Sequence, residues 1–410
     1  MAFRRRVLVV AATVTSLFAQ KPPAQKGGPV SERMELISKG KTAAAGINQF
    51  GLKLLEAEAS LKPNTNVFLS PLSLYLALAM TEGGAAGKTQ AAMRRVLEVP
   101  ATTSDESMRE AASALLQSLR MNRGVELSIA NALWSSPKVP LSPAFVEQCR
   151  AVYDAEARSI DFQKPDAVDV INKWVSDKTK TRIPRIVTPE IVRSAFAMIT
   201  NAVYFMGQWE REFPQTETRE ADFFLVSKAT KKVQMMHQSR LKSSYRVGDG
   251  YEAAALSYKS SSIVMYAILP VEGISPEQAL ARAPADTLIK GNDRFDLELK
   301  LPKFTLDWSG KLKTTLTKLG MGVAFEFPGA EFAPLGSPLF YIGDVLHKTR
   351  LEVDEKGTVA AAATVVVVMV GSAAPRELPL KVLEFNRPFA VVIADALTGA
   401  ELFKGVVYEP

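Results

Sequence analysis

The chain holds little that could perform catalysis. Two histidines, His237 and His347, and one cysteine, Cys149, are all the imidazole and thiol in its 410 residues. That inventory is too small for nearly every common zinc site, and neither H-E-x-x-H nor C-x-x-C occurs. Glycine-rich phosphate loops and the G-x-S-x-G nucleophile elbow are also missing. The pattern S-x-x-K, the nucleophile motif of penicillin-binding enzymes, begins at Ser38, Ser135 and Ser239. Its companions S-D-N and K-T-G are absent, so all three are read as ordinary surface or turn sequence. Cys149 lies in a helical spacing with Phe145, Val146, Val152 and Tyr153, which suits a packed small hydrophobe. A single cysteine forms no intramolecular bridge, so stability must come from packing. These residues point away from an enzyme, and they imply no metal and no cofactor.

A different chemistry is suggested by residues 350–376. Glu352-Val-Asp-Glu-Lys356 runs into Gly357-Thr358, then Val359, Ala360, Ala361, Ala362, Ala363, Thr364, four valines (Val365–Val368), Met369 and Val370. Gly371-Ser-Ala-Ala-Pro375 follows, with no charge between Lys356 and Arg376. The apolar run is too short to span a bilayer, which takes ~20 residues. Four consecutive alanines suit a buried strand poorly, and the valines do not suit a flexible linker. One reading takes them all: a segment exposed as a loop in one state and buried as a central strand in another. Period-two alternation then puts Thr358, Ala360, Ala362, Thr364, Val366 and Val368 on one face, all small or apolar. Gly357 supplies the backbone freedom of a hinge.

Such a segment needs a sheet to enter, and the rest of the chain predicts one. Hydrophobic residues make up 47% and charged residues 23%, enough for a large core and too ordered a balance for disorder. Helical spacing runs through 42–61. Ser70-Pro71 opens a second helix, apolar nearly all round and ended by Gly83-Gly84. Helices are further predicted over 106–119, around Val168–Val175, and over 309–319. Strands are predicted at 126–134, 195–205, in several runs between 222 and 269, and at 295–301, where charge and hydrophobe alternate. No repeat and no second linker divides the chain, so it reads as one α+β domain.

The N-terminus is of another kind. Arg4, Arg5 and Arg6 precede an apolar run from Val7 to Phe18 and then Ala19, the pattern of a secretory signal. Residues 1–19 are expected to be that signal, 20–40 a flexible leader and 41–410 the single domain. The destination is then secreted or extracytoplasmic. Removing 1–19 takes the net charge from +7 to +4. That is mild and unclustered, so no nucleic-acid footprint, no clear glycosaminoglycan site and no membrane span is expected, and a monomer is.

At this point the sequence resembles the serpin family. Gly357-Thr-Val-Ala-Ala-Ala-Ala-Thr364 resembles the hinge of inhibitory serpins, and Asn66-Val-Phe-Leu-Ser-Pro-Leu-Ser73 the family's buried helix opening. Asn131-Ala-Leu-Trp134 and Asn201-Ala-Val-Tyr-Phe-Met-Gly-Gln-Trp209, with Phe213 and Thr218, are similar to its central-sheet strands. Leu301-Pro-Lys-Phe304, Phe385-Asn-Arg-Pro-Phe389 and Leu402-Phe-Lys-Gly-Val-Val407 match further motifs, in order, from about residue 42 to 410. The resemblance implies the serpin fold, about eight or nine helices around three β-sheets, with an exposed reactive-centre loop at about 355–376. It implies a partner, a serine protease that attacks the loop, becomes covalently attached and is trapped as the loop inserts into the sheet. The alternative is a serpin-fold carrier or chaperone without inhibitory action. Such relatives tend to carry bulky or charged hinge residues, which are absent here.

Residue roles follow from the same likeness. Glu355, Gly357, Thr358, Val359, Ala360 to Ala363 and Thr364 form the hinge. Ser70, Ser73, Asn201 and His347 resemble the polar shutter beneath the sheet. Trp209 stands at the breach, the first point of insertion, and Lys303 with Glu355 resembles a salt bridge at the loop's base. Family register counted from Glu355 puts the reactive bond between Gly371 and Ser372, with Val370 and Met369 as alternatives. All are small or apolar, implying an elastase-like or subtilisin-like target; Arg376 lies too far downstream for full insertion. Two departures stand out. Val359 replaces the usual glutamate, and in Thr179-Lys-Thr-Arg-Ile183 the Lys-Thr-Arg triplet replaces the usual Asn-Gly-Lys turn.

Overall fold

A computed structural model of the chain describes residues 29–242, 244–290, 295–358 and 378–410. Helices fill the first part: α1 (Pro29–Leu61), α2 (Pro71–Glu82), α3 (Gly87–Val96), α4 (Asp105–Arg120), α5 (Pro143–Tyr153), α6 (Ala167–Lys178) and α7 (Pro189–Arg193). Later come α8 (Pro276–Arg282), α9 (Ala285–Lys290) and α10 (Lys313–Leu316), making ten α-helices among the described residues. Ser70 caps α2: its hydroxyl accepts from Ser73 N at 3.3 Å, and Pro71 occupies the first helical position. All twelve residues of α2 are buried, which is why its apolar pattern runs all round rather than along one stripe.

Three sheets follow. The central one has six strands in the order β11 (Phe304–Lys311), β12 (Asp344–Val353), β13 (Gly357–Thr358), β4 (Ala197–Gln208), β2 (Val125–Ser135) and β3 (Glu156–Ser159). A second runs β1 (Val67–Leu69), β16 (Glu401–Val407), β15 (Phe389–Asp395), β9 (Ile263–Pro270), β8 (Tyr251–Ser257) and β7 (Tyr245–Gly248). The third holds β14 (Leu380–Glu384), β10 (Asp296–Pro302), β6 (Thr230–Lys242) and β5 (Arg219–Phe224). In β10 the alternation behaves as the sequence predicts: Leu297, Leu299 and Leu301 are buried, while Asp296, Glu298 and Lys300 are half-buried.

The main core lies between the inner face of the central sheet, α1, α2 and the second sheet. On the outer face, α6 and the segment after it pack over Ala130, Ala132 and Trp134 of β2, Met198 and Ala202 of β4, and Leu346 of β12. Helix α6 itself lies over β2, and the segment after it completes this outer layer.

The line where β4 meets β12 is the sheet's irregular feature. Asp344–Arg350 pairs in parallel with Met198–Tyr204, whereas β2 pairs antiparallel with β4 and β11 antiparallel with β12. Beyond Tyr204 the two strands part and β13 sits between them, antiparallel to both, with Thr358 opposite Val353 and Gly207, and Gly357 opposite Gln208.

Two expectations are corrected. Residues 29–40, placed in the flexible leader, belong to α1. Ile37 is buried, and Gly40 lets α1 approach α4 so closely that a Cβ there would lie 3.2 Å from Leu115 Cα. The helix predicted over 309–319 starts later, at Lys313, and runs on through the π-helical turn Thr317–Met321. Ser309, Gly310 and Lys311 end β11, paired with Lys348, His347 and Leu346; only Lys313–Leu316 is α-helical, and Gly320 (φ 112°) breaks the following turn. Strand pairing with β12 overrides the local helical spacing.

Candidate functional site

The site is built where β13 enters the central sheet. Asp354–Gly357 forms the tight turn out of β12. Asp354 Oδ1 accepts from Lys356 N (2.9 Å) and Gly357 N (3.1 Å), and Asp354 N donates to Gly357 O (2.9 Å). Only glycine fits at 357: φ is +153°, and a Cβ would meet Gly207 O at 2.1 Å. Trp209 grips the turn from the other strand, donating from Nε1 to Asp354 O (3.0 Å) and from its backbone N to Lys356 O (2.9 Å). Phe213 N donates to Glu355 O at 2.8 Å. The Glu355 carboxylate is buried, 3.0 Å from Lys303 Nζ through Oε2, and accepts from Thr218 Oγ1 at 2.9 Å. Burial alone would raise its pKa, but the bonds from Lys303, its own backbone and Thr218 outweigh that and hold it below the usual glutamate range.

Thr358 is 0% exposed, and its hydroxyl shares a 2.7 Å hydrogen bond with Tyr258 OH. The Tyr258 ring stacks on Trp209 (centroids 4.7 Å) and meets Phe205 edge-on (4.9 Å). Burial drives its phenol far above the usual range, so it remains a neutral donor and acceptor. Sequence reasoning missed Tyr258, which stands 100 residues before Thr358 and belongs to no local motif. Of the expected hinge, Glu355, Gly357 and Thr358 are placed here. Val359, Ala360 to Ala363 and Thr364, the candidate bond residues Met369, Val370, Gly371 and Ser372, and the expected signal at 1–19 lie outside the described residues.

Lower in the sheet, Ser70, Ser73, Asn201 and His347 come together as one buried polar cluster. Asn201 lies opposite Asn131 on one side and His347 on the other, so three polar residues form a row across β2, β4 and β12. Asn201 Nδ2 donates to Ser73 Oγ and Asn131 Oδ1, and Asn131 Nδ2 donates to Ser73 O at 3.3 Å. His347 Nε2 accepts from Ser70 N at 3.1 Å, and Ser70 Oγ donates to Leu402 O at 2.7 Å. Complete burial pushes the His347 pKa down to about 3, against an opposing pull from the Asn201 backbone, so the ring is neutral. His347 Nδ1 and Asn201 Oδ1 make no hydrogen bond of good geometry among the described residues. Asn131 is the member that sequence reasoning did not assign to this cluster. Its signal was available in the Asn131-Ala-Leu-Trp motif, but its register against Asn201 was not.

The remaining candidates stay apart from this site. Cys149 is buried in α5, with its thiol pushed up to about 12 by burial. His237 stands in the third sheet, 3.5 Å from Glu217 and 3.3 Å from Glu298. Ser135, expected in surface or turn sequence, is instead buried at the end of β2, where its Oγ lies 3.1 Å from Ser159 Oγ of the edge strand β3. Among the described residues no group of three metal-binding side chains gathers, and no helix is long and apolar enough to cross a membrane.

Residues 45–410 match the family model described as serpin (serine protease inhibitor). An uncharacterized serpin-like protein of Thermococcus kodakarensis is 34% identical over 376 residues, covering 90% of this chain and 86% of that protein. The leukocyte elastase inhibitor of Xenopus tropicalis is 31% identical, covering 84% of this chain and 93% of its own. Among solved structures, the thermophilic serpin tengpin in its native state superposes with a TM-score of 0.79 at 30% identity, covering 90% of this chain and 94% of its own.

Proposed function

The chain belongs to the serpin family, whose members are mostly serine protease inhibitors rather than enzymes, and on that footing we propose that it is itself an irreversible inhibitor acting by strand insertion. The observation that carries the proposal is the parted seam. A strand leaving β12 by a tight turn runs antiparallel to β12, and because β4 is parallel to β12 it is antiparallel to β4 as well. Gly357 and Thr358 have already taken that position. Carried on residue by residue, the register places Thr364 opposite both Asn201 and His347, and Val368 opposite Ala197 at the far end of β4. The small and apolar run after Thr358 therefore matches the length of the seam. Thr364 then brings a hydroxyl to the row that holds His347 Nδ1 and Asn201 Oδ1, the two atoms without good partners.

The mechanism follows. The protease serine attacks the carbonyl of Gly371, an acyl ester forms, and the peptide starting at Ser372 is the leaving group. The freed strand zips down the seam, replacing one parallel pairing by two antiparallel ones. The tethered protease is carried with it, and water does not release the ester in time. Gly371, with Val370 and Met369 as alternatives, favours an elastase-like or subtilisin-like target. Residues 1–19 direct the protein to a secreted or extracytoplasmic place, where such proteases act.

The test is to mix the protein with an elastase-like and a subtilisin-like protease and examine denaturing gels and peptide masses. A band at the summed mass less that of the peptide beginning at Ser372, and that peptide released on denaturation, are expected. Cleavage in the loop with no lasting complex and no gain in thermal stability would overturn the proposal.

A further inference from the structure

We propose that the turn after α6 is a latch on the fork of the central sheet, and that Lys180 and Arg182 set how fast a strand advances between β4 and β12. The inference rests on the insertion reading above and names residues that resist it. Two consecutive non-glycine residues in this turn are left-handed, Lys180 at φ +49° and Thr181 at φ +65°. A β-branched residue there is strained and persists only where its surroundings over-determine it. They do: Thr181 N donates to Ser176 O (2.7 Å), Thr179 Oγ1 donates to Val175 O (2.8 Å), and the same hydroxyl accepts from Ile183 N (3.2 Å). The Asn-Gly-Lys turn that the resemblance leads one to expect would carry these dihedrals at little cost. Lys-Thr-Arg carries them under strain.

The strained turn delivers two cations onto the sheet. Lys180 Nζ lies 2.8 Å from Glu126 Oε1 on β2, and the Arg182 guanidinium sits over the Tyr204 ring on β4, 5.5 Å from its centroid. Tyr204 marks the fork. It is the last β4 residue paired with β12, opposite Arg350, while Gly207 and Gln208 beyond it pair with β13. The ring is 2% exposed, and its hydroxyl has no hydrogen-bond partner among the described residues. Arg182 thus roofs the point at which the seam closes, and Lys180 ties the same turn to the neighbouring strand. A strand advancing beyond Thr358 has to pass beneath this roof, so the contacts must open. The strain at Thr181 works in the opposite sense, because it is relieved when the turn lifts.

The two opposing effects give the test. A synthetic peptide of residues 358–370 is added in excess to the purified full chain, and its uptake is timed by native-gel mobility and by the gain in melting temperature. No protease is involved. Glu126→Gln and Arg182→Ala should each take up the peptide about threefold faster than wild type, and together about tenfold faster. Thr181→Gly keeps both cations and removes the strain, so it should slow uptake about fivefold. Lys180→Arg keeps the ion pair and should behave as wild type. Far-ultraviolet circular dichroism checks that each variant is folded. Wild-type rates in Glu126→Gln, Arg182→Ala and the double variant, or faster uptake by Thr181→Gly, would remove the latch while leaving the insertion reading intact. Failure of wild type to take up any peptide would remove the insertion reading and the latch with it.

Discussion

Lowering the pH from 7 to 5 should loosen the central sheet through one buried side chain, His347. Its pKa is about 3 in the folded chain, against an ordinary value of 6.5. Between those values the unfolded chain binds a proton that the folded chain does not. Stability is therefore level above about pH 6.5 and falls as pH drops towards 3. The full gap of roughly 3.5 pH units sets a ceiling of ~5 kcal/mol, of which about 2 kcal/mol is lost by pH 5. The loss favours opening of the seam, because the closed state must keep Nε2 unprotonated as the acceptor for Ser70 N, and only a state that exposes the ring takes up the proton. Burial holds Glu58, Asp344 and Glu401 above their usual range, which acts in the opposite sense as they gain protons. The assay removes them by difference. Urea unfolding followed by tryptophan fluorescence is run at pH 7, 6 and 5 on wild type and on His347→Gln, whose amide oxygen can still accept from Ser70. Wild type should lose about 2 kcal/mol more than the variant over this interval. The same pH slope in both proteins would refute the reasoning.

Three further outcomes are expected. Thr358→Arg puts a guanidinium into the closed seat beneath Tyr258 at a cost of about 3–5 kcal/mol, so a gel assay should show a loop that is still cut but forms no covalent complex. Glu355→Gln removes the anchor to Lys303 and lowers the melting temperature through the loss of about 1–2 kcal/mol at pH 7. Because the Glu355 pKa is lowered on folding, that contribution is present above the ordinary value of 4.5 and is lost as pH falls below it, so the two proteins should converge in acid. Thr364→Val keeps the shape of the loop residue but not its hydroxyl. It should leave the intact protein unchanged and reduce the stability gained on loop cleavage by about 1 kcal/mol, read as a smaller rise in melting temperature.

Parts of this architecture were legible without coordinates because their signals are local. Ser70-Pro71 announces a helix start, and the capping hydroxyl and first-turn proline are both in place. The alternation through β10 divides the strand into a buried and a half-buried face as its residue types require. Local spacing misled where a distant element took the backbone: β12 draws Ser309–Lys311 into a strand, and α4 gives residues 29–40 a surface on which to stay helical.

By itself the amino-acid sequence determined the chemistry of the segment proposed to insert. It set a glycine where the turn needs one and a charge-free run of small side chains after it. Only the tertiary structure showed the seam in which Gly357 and Thr358 sit. Tyr258 and Thr358 are 100 residues apart and Ser70 and His347 are 277 apart, so no local spacing could pair them. Nor could it reveal that β4 and β12 run parallel, closed as far as Tyr204 and parted beyond it. Strand direction and register are settled by the burial of whole faces against α2 and α6, and that is a property of the assembled sheet rather than of any one segment.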